Sequence, residues 1–276
     1  MPVTMSPLRY PGGKTKLYPV IAPLILKTVD KNRTYVEPFA GGAGLALKLL
    51  INGDVSNIVL NDIDENIYLF WNACLNNNDA LCALVHNTVP SIAEWDKQRE
   101  VFLHPRGYSE IERAFATLYL NRCNISGVIS GGPIGGRKQE GKYLIDARYN
   151  AQGLIKKLRA IGEKRSQITL YNLEASSFLR VVVSQLPMKT SFVNIDPPYV
   201  KKGPLLYRNC FMEEDHRNLS KVIQGLNHHW ILTYDECDLV HTLYRDFRQI
   251  PICLSYSAGY TKKGNELLIL GPSVQQ

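Results

Sequence analysis

Between Thr34 and Asp64 the chain reads as strand, glycine-rich turn, helix, strand and acid. Residues 34–38 form a short β-prone run, and Gly41-Gly42-Ala43-Gly44 follows almost at once. Residues 45–51 carry helical periodicity, and residues 57–61 are a second apolar strand ending in Asp62 and Asp64. Another helix is expected over about 65–75. A strand that feeds a glycine turn into a helix is the front half of a Rossmann-like unit. The expected fold class is therefore α/β, with a mostly parallel sheet covered by helices.

Sheet-like patterning resumes at 168–171, 192–195, 229–233 and 267–270, with helices expected over 175–185 and 213–225. The stretch from about 91 to 164 has another character: helical periodicity around 111–120, then a glycine-rich loop at 130–136. One sheet domain, residues 1–78 and 166–276, interrupted by a helical insertion at 79–165, is the economical arrangement. The net charge of +7 is concentrated in the second half of that insertion. Between Asn121 and Arg165 lie ten basic residues (Arg122, Arg137, Lys138, Lys142, Arg148, Lys156, Lys157, Arg159, Lys164, Arg165) against Glu140, Asp146 and Glu163. The remainder balances at 22 against 22. Such a concentration is the footprint expected for a polyanion partner, although a solvated helix face would also account for Lys156, Lys157, Lys164 and Arg165.

Several classes are disfavoured. No apolar run approaches the ~20 residues of a membrane span, and the N-terminus lacks the pattern of a signal peptide. The six cysteines are scattered without a C-x-x-C pair or a His at metal spacing, so no metal site is expected and a cytoplasmic, reducing location is. The H-x-E and P-C-x-x-C signature of zinc deaminases is absent. Gly12-Gly13-Lys14-Thr15 resembles the tail of a phosphate-binding Walker loop, but Leu8 stands where its first glycine belongs and no strand precedes it.

The chemistry gathers at two strand ends. Glu37 stands before the glycines, and Leu47 holds the position of the third glycine of a dinucleotide fingerprint. An acid there is expected to repel a pyrophosphate and to welcome a cation or a ribose. Asp62 is placed like the acid that holds ribose hydroxyls. S-adenosylmethionine, which has a sulfonium, an ammonium and a ribose but no phosphate, fits these demands. At the second strand end, Asp196-Pro197-Pro198-Tyr199 follows the apolar run 192–195. Two prolines fix φ and delete two N–H donors, leaving carbonyls beside a carboxylate and a ring. Such a turn suits a planar ligand with an exocyclic amine, and a plain strand-ending turn is the competing reading.

Taken in order, these motifs resemble the Dam-type (D12 class, α group) DNA adenine-N6 methyltransferases. Arg9-Tyr10-Pro11-Gly12-Gly13-Lys14 is similar to the family's opening, and Glu37-Pro38-Phe39-Ala40-Gly41-Gly42-Ala43-Gly44 to its cofactor loop. Asn61-Asp62-Ile63-Asp64 is similar to a third motif, Asn121-Arg122 opens a basic region, and Asp196-Pro197-Pro198-Tyr199 matches the catalytic tetrapeptide. The resemblance implies a Rossmann-like S-adenosylmethionine-dependent methyltransferase sheet with a helical target-recognition insertion. It implies cofactor contacts from Tyr10, Gly12, Lys14, Glu37, Phe39, Gly41, Asp62, Ile63 and Asp196. It implies DNA contacts from Arg122, Asn124, Arg137, Lys138, Tyr143 and Arg148. Asp196 and the Pro197 carbonyl would hold the two N6 hydrogens of a flipped adenine, Pro198 would set the geometry, and Tyr199 would stack on the ring. The implied partner is double-stranded DNA, and a cognate restriction endonuclease is compatible with it. The chain carries Ile125 and Ser126 where GATC-methylating relatives have an aromatic, so no recognition sequence is carried over.

Overall fold

The computed structural model describes residues 4–10, 12–201, 211–258 and 260–275, with the backbone alone over 253–258 and 260–265. The chain divides into two compact units: Met1–Gly13 with Asp64–Leu170, and Lys14–Ile63 with Tyr171–Gln276.

The sheet is formed by the second unit except for β3 (Ile168–Tyr171), most of which falls in the first. Its strands are β1 (Thr34–Glu37), β2 (Asn57–Asn61), β3 (Ile168–Tyr171), β4 (Ser191–Ile195), β5 (His229–Asp235), β6 (Arg248–Ala258) and β7 (Tyr260–Leu270). They lie in the order β3-β2-β1-β4-β5-β7-β6. β1 runs parallel to β2 and β4, and β4 parallel to β5, while β7 is antiparallel to both β5 and β6. The Rossmann order is thus altered by one reversed strand between β5 and β6. The chain order reverses between β1 and β4, whose carboxyl ends form the crevice where open α/β sheets bind ligands. β4 is buried at all five positions and β1 at its last three, as expected for central strands paired on both edges and covered on both faces.

Two helices, α1 (Tyr18–Thr28) and α2 (Gly44–Asn52), pack together beside the sheet's first half. α8 (Ala175–Val181) and α9 (Glu213–Gln224) bury Phe178, Leu179, Leu219 and Ile223 with Val193, Ile195, Trp230, Leu232 and Ile269 in one core. Each such side chain contributes about 1.5–3 kcal/mol by leaving water. A short α10 (Asp238–Leu243) follows β5.

The first unit is helical. Its elements are α3 (Glu65–Asn76), α4 (Asn78–Asn87), α5 (Ile92–Leu103), α6 (Glu110–Cys123) and α7 (Ala151–Gly162). α6 is the axis: Ala114–Asn121 are all buried, and α3, α4 and α5 pack around it. It starts cleanly because Ser109 and Glu112 form a reciprocal capping box. At its end the Asn121 amide clasps the N-terminal segment. It accepts the Arg9 N–H at 2.7 Å and donates to the Arg9 and Gly127 carbonyls at 3.0 and 2.8 Å.

The unit boundaries differ from the expected 1–78, 79–165 and 166–276. α3 packs with α4, α6 and α7, and residues 4–10 are tied to α6, so both belong with the helices. Local pattern identified α3 as a helix but could not say which core its apolar face joins.

Gly127 has φ of 78°, and a Cβ there would lie 2.2 Å from the Arg9 carbonyl oxygen. Gly107 has φ of 95° with nothing within 4 Å. Gly107→Ala therefore costs backbone strain of about 1–3 kcal/mol, whereas Gly127→Ala adds a backbone collision. Denaturant titration is expected to show Gly127→Ala as the more destabilising by at least about 1 kcal/mol.

Candidate active site

The glycine loop after β1 is held by the end of β2. Ala40 N–H bonds the Asn61 carbonyl at 2.8 Å, and Gly41 N–H bonds the Asp62 carboxylate at 2.8 Å. Gly41 and Ala43 both adopt left-handed backbone, with φ of 44° and 43°, which turns the chain sharply into α2. Asn61 is fully buried; its amide donates to the Pro38 and Leu173 carbonyls and accepts the Leu173 N–H. Asp62, expected to face a ribose, thus also shapes the loop. Ile63 is exposed, and Phe39 packs edge-on to Phe211 at 6.1 Å.

Glu37 ends β1 almost wholly buried and accepts the Tyr35 hydroxyl at 3.0 Å. Burial pushes its carboxyl up to about 8, and Asp196 adds to this; the Tyr35 hydroxyl, the Ala46 N–H and Lys14 oppose. Burial thus favours the protonated form of Glu37, which weakens the repulsion of phosphate expected from its charge. The charge was inferred from residue type alone, and burial overrides it.

The tetrapeptide after β4 is gripped on every side. Lys14, in a short 3-10 turn over Lys14–Leu17 and itself buried, places Nζ 2.7 Å from Asp196 Oδ2. The Thr233 hydroxyl donates to Asp196 Oδ1 at 2.7 Å. Lys14 Nζ also lies 5.0 Å from the centroid of the Tyr199 ring. The Tyr199 hydroxyl donates to Glu266 Oε2 at 2.7 Å. The Asp235 carboxylate accepts the Val200 and Lys201 N–H groups at 2.9 and 2.8 Å. Pro197 is buried and Pro198 half-buried. One unit thus brings together Lys14, Glu37, Gly41, Asp62, Asp196 and Tyr199. Tyr10 and Gly12 belong to the helical unit, where the Tyr10 carbonyl accepts the Gly13 N–H at 3.2 Å.

Residues 10–256 match the D12 class N6 adenine-specific DNA methyltransferases. The chain belongs to this family. It is 23% identical over 205 residues to the Type II methyltransferase M.MjaIII of Methanocaldococcus jannaschii, covering 70% of this chain and 68% of that protein. Among solved structures it is similar to the rRNA methyltransferase aviRa of Streptomyces viridochromogenes, at 15% identity and a TM-score of 0.39, covering 96% and 86% of the two chains. A putative tRNA (m1A22) methyltransferase of Streptococcus pneumoniae aligns at 11% identity and a TM-score of 0.38, covering 93% and 72%. The protein is an adenine-specific DNA methyltransferase with a Rossmann-like sheet.

The helical unit of this methyltransferase holds the six residues expected at DNA, in unlike settings. Asn124 is fully buried; it accepts the Trp95 indole N–H at 2.6 Å and donates to the Val128 and Ile129 carbonyls. Its amide is engaged in holding the loop after α6. Arg122 donates to the Arg148 and Pro7 carbonyls, and burial pulls its guanidinium down to about 10. Arg137 is exposed and forms a bidentate pair with Asp96, at 2.6 and 2.9 Å. Lys138 and Arg148 are exposed, and Tyr143 is exposed with Lys142 and Arg148 about its ring. On α7, Lys157 turns inward to the Ser6 carbonyl and Arg159 pairs with Asp79, so part of the basic stretch is structural. The segment 201–207 follows the Asp196-Pro197-Pro198-Tyr199 turn in sequence and is expected to close over a substrate as a lid; beyond Lys201 it lies outside the described residues. Among the described residues, no group of three or more His, Cys, Asp or Glu could hold a metal ion, and no helix is long and apolar enough to cross a membrane.

The missed residues are Thr233, Asp235 and Glu266, and Asn61 figures in the sequence only as part of its motif, without a role. The expected strand at 229–233 runs on to Asp235, and its Thr-Tyr-Asp ending carried the only signal: two polar residues two apart on one face.

Glu37 binds its proton more tightly folded, at about 8, than at its ordinary 4.5. Its contribution to stability is present below the lower value and is lost as pH rises through the upper one. In the ligand-free protein, Glu37→Gln is expected to flatten the fall in melting temperature between those two pH values. A fall of wild-type steepness in the variant contradicts this assignment.

Proposed function

We propose that the methyl donor is S-adenosylmethionine, held at the glycine loop, and that the target adenine is flipped from duplex DNA onto Asp196-Pro197-Pro198-Tyr199. The observation that carries this reading is the oriented Asp196 carboxylate beside the Tyr199 ring at the end of β4. The residues fit the cofactor. A tight left-handed turn at Gly41 and Ala43 brings backbone close to the crevice, Glu37 and Asp62 are acceptors, and the loop from Glu37 to Gly44 contains no Lys or Arg to attract phosphate. When bound, S-adenosylmethionine supplies an already activated methyl group.

The chain's task is then to position and to stabilise charge. The adenine N6 lone pair is delocalised into its ring, so a poor nucleophile must be made pyramidal. Asp196 accepts one N6–H and the Pro197 carbonyl the other. Both bonds strengthen as positive charge grows on N6, which favours the transition state over the ground state. Tyr199 stacks on the ring and fixes its plane, and alignment supplies much of the remaining rate. The entering amine meets Lys14 on the same carboxylate and must share it or displace the ammonium.

Flipping costs a few kcal/mol, and the helical unit provides binding energy through phosphates. Lys138, Arg148, Tyr143 and Arg137 are the surface groups for this task; Arg137 must leave Asp96 to read a guanine edge. Arg122 and Asn124 serve DNA indirectly, by shaping the loop that carries the others. A cytoplasmic location and pairing with a cognate restriction endonuclease belong to the same reading.

Labelled S-adenosylmethionine is expected to transfer its methyl to adenine in duplex DNA, with affinity falling steeply as salt rises. Asp196→Ala is expected to lower the rate by at least about 10³-fold while the fold persists. Label on cytosine N4, or an Asp196→Ala protein of wild-type rate, refutes the reading.

A further inference from the structure

We propose that Thr233, Asp235 and Glu266 are positioning residues that set the rate of methyl transfer by fixing both ends of the catalytic turn. The inference rests on the functional reading above and extends it to three side chains outside the motifs quoted from the sequence.

The need follows from the sequence. Pro197 and Pro198 have no N–H, so the turn cannot be tied down by amides of its own at those positions. The structure ties it to the two neighbouring strands instead. Thr233 and Asp235 lie two residues apart on β5 and so share a face. Thr233 orients the entry carboxylate through Asp196 Oδ1 at 2.7 Å. Asp235, 2% exposed, takes the exit amides of Val200 and Lys201, one on each oxygen. Glu266 is directly opposite Asp235 in the β5–β7 register and is fully buried. It receives the Tyr199 hydroxyl at 2.7 Å, which fixes the far edge of the ring. Carboxylate, turn exit and ring are thus referenced to one cross-strand site.

Buried polar groups of this kind are costly unless satisfied. A purely apolar strand end would pack there without that cost, so a role in geometry accounts for them better than a role in stability. None of the three needs to touch the donor, whose loop is held by Asn61 and Asp62. A displacement of about 1 Å at reacting atoms can cost about 10²-fold in rate. Loosening the turn should therefore depress kcat and leave binding alone.

The test compares full-length Thr233→Val, Asp235→Asn, Glu266→Leu and Glu266→Gln with wild type. S-adenosylmethionine affinity, duplex affinity, melting temperature and steady-state and single-turnover methylation are measured. The first three variants are expected to bind S-adenosylmethionine and DNA within about threefold of wild type, with KM likewise, and to lose about 10- to 100-fold in kcat and in the single-turnover rate. Glu266→Gln keeps an acceptor for the Tyr199 hydroxyl and is expected to retain most of the rate. Should Asp235→Asn or Glu266→Leu not fold, the near-isosteric Thr233→Val decides. Folded variants with wild-type kcat, a loss confined to KM, or equal rates for Glu266→Gln and Glu266→Leu overturn the proposal. A wild-type protein that labels no adenine refutes the parent reading instead.

Discussion

Two consecutive prolines at 197 and 198 leave the turn after β4 stiff but without donors to anchor it, and much of the sheet's polar interior answers that deficit. Val200 and Lys201, the second and third residues after the prolines, give their amides to Asp235. The carboxylate before the prolines is held by Lys14 and Thr233, and the tyrosine after them by Glu266. The reversed strand β7 has a role here beyond closing the sheet. Its insertion between β5 and β6 brings Glu266 opposite Asp235.

A site built from so many buried acids is electrostatically expensive unless each is paired or neutral. The structure uses both solutions. Asp196 has an ammonium and a hydroxyl, Asp235 has two amides, and burial pushes the Glu37 carboxyl towards its neutral form. Satisfied networks of this kind hold one geometry, since any loosened member leaves a buried polar group without its partner. The glycine loop is held in the same way, by Asn61 and Asp62.

The parallel half of the sheet was legible in the sequence because central strands are apolar runs bounded by turn residues; β2 and β3 begin and end at the expected residues. The glycine loop and the Asp-Pro-Pro-Tyr turn stood out in the sequence because their residue types are chemically demanding. Thr233, Asp235 and Glu266 were not, because a buried polar residue in a strand reads like an exposed one until its neighbours are known. Pattern also missed β6 and most of β7, whose hairpin carries Tyr, Ser, Lys and Gly where alternation is weak. Charge counting located the basic insertion but could not tell which of its members hold the helical unit together. Arg122, Lys157 and Arg159 are engaged in holding the helical unit, while Lys138 and Arg148 are exposed.

Family membership, an oriented carboxylate and the tyrosine ring beside it converge on one proposed reaction at one atom. The most direct measurement is base-resolved mapping of modified DNA from a methylation-free host that makes this protein. The account predicts N6-methyladenine at a single recurring sequence, and none when Asp196 is replaced by alanine. Methylation of cytosine, or unmodified DNA in cells that contain the folded wild-type protein, would contradict it.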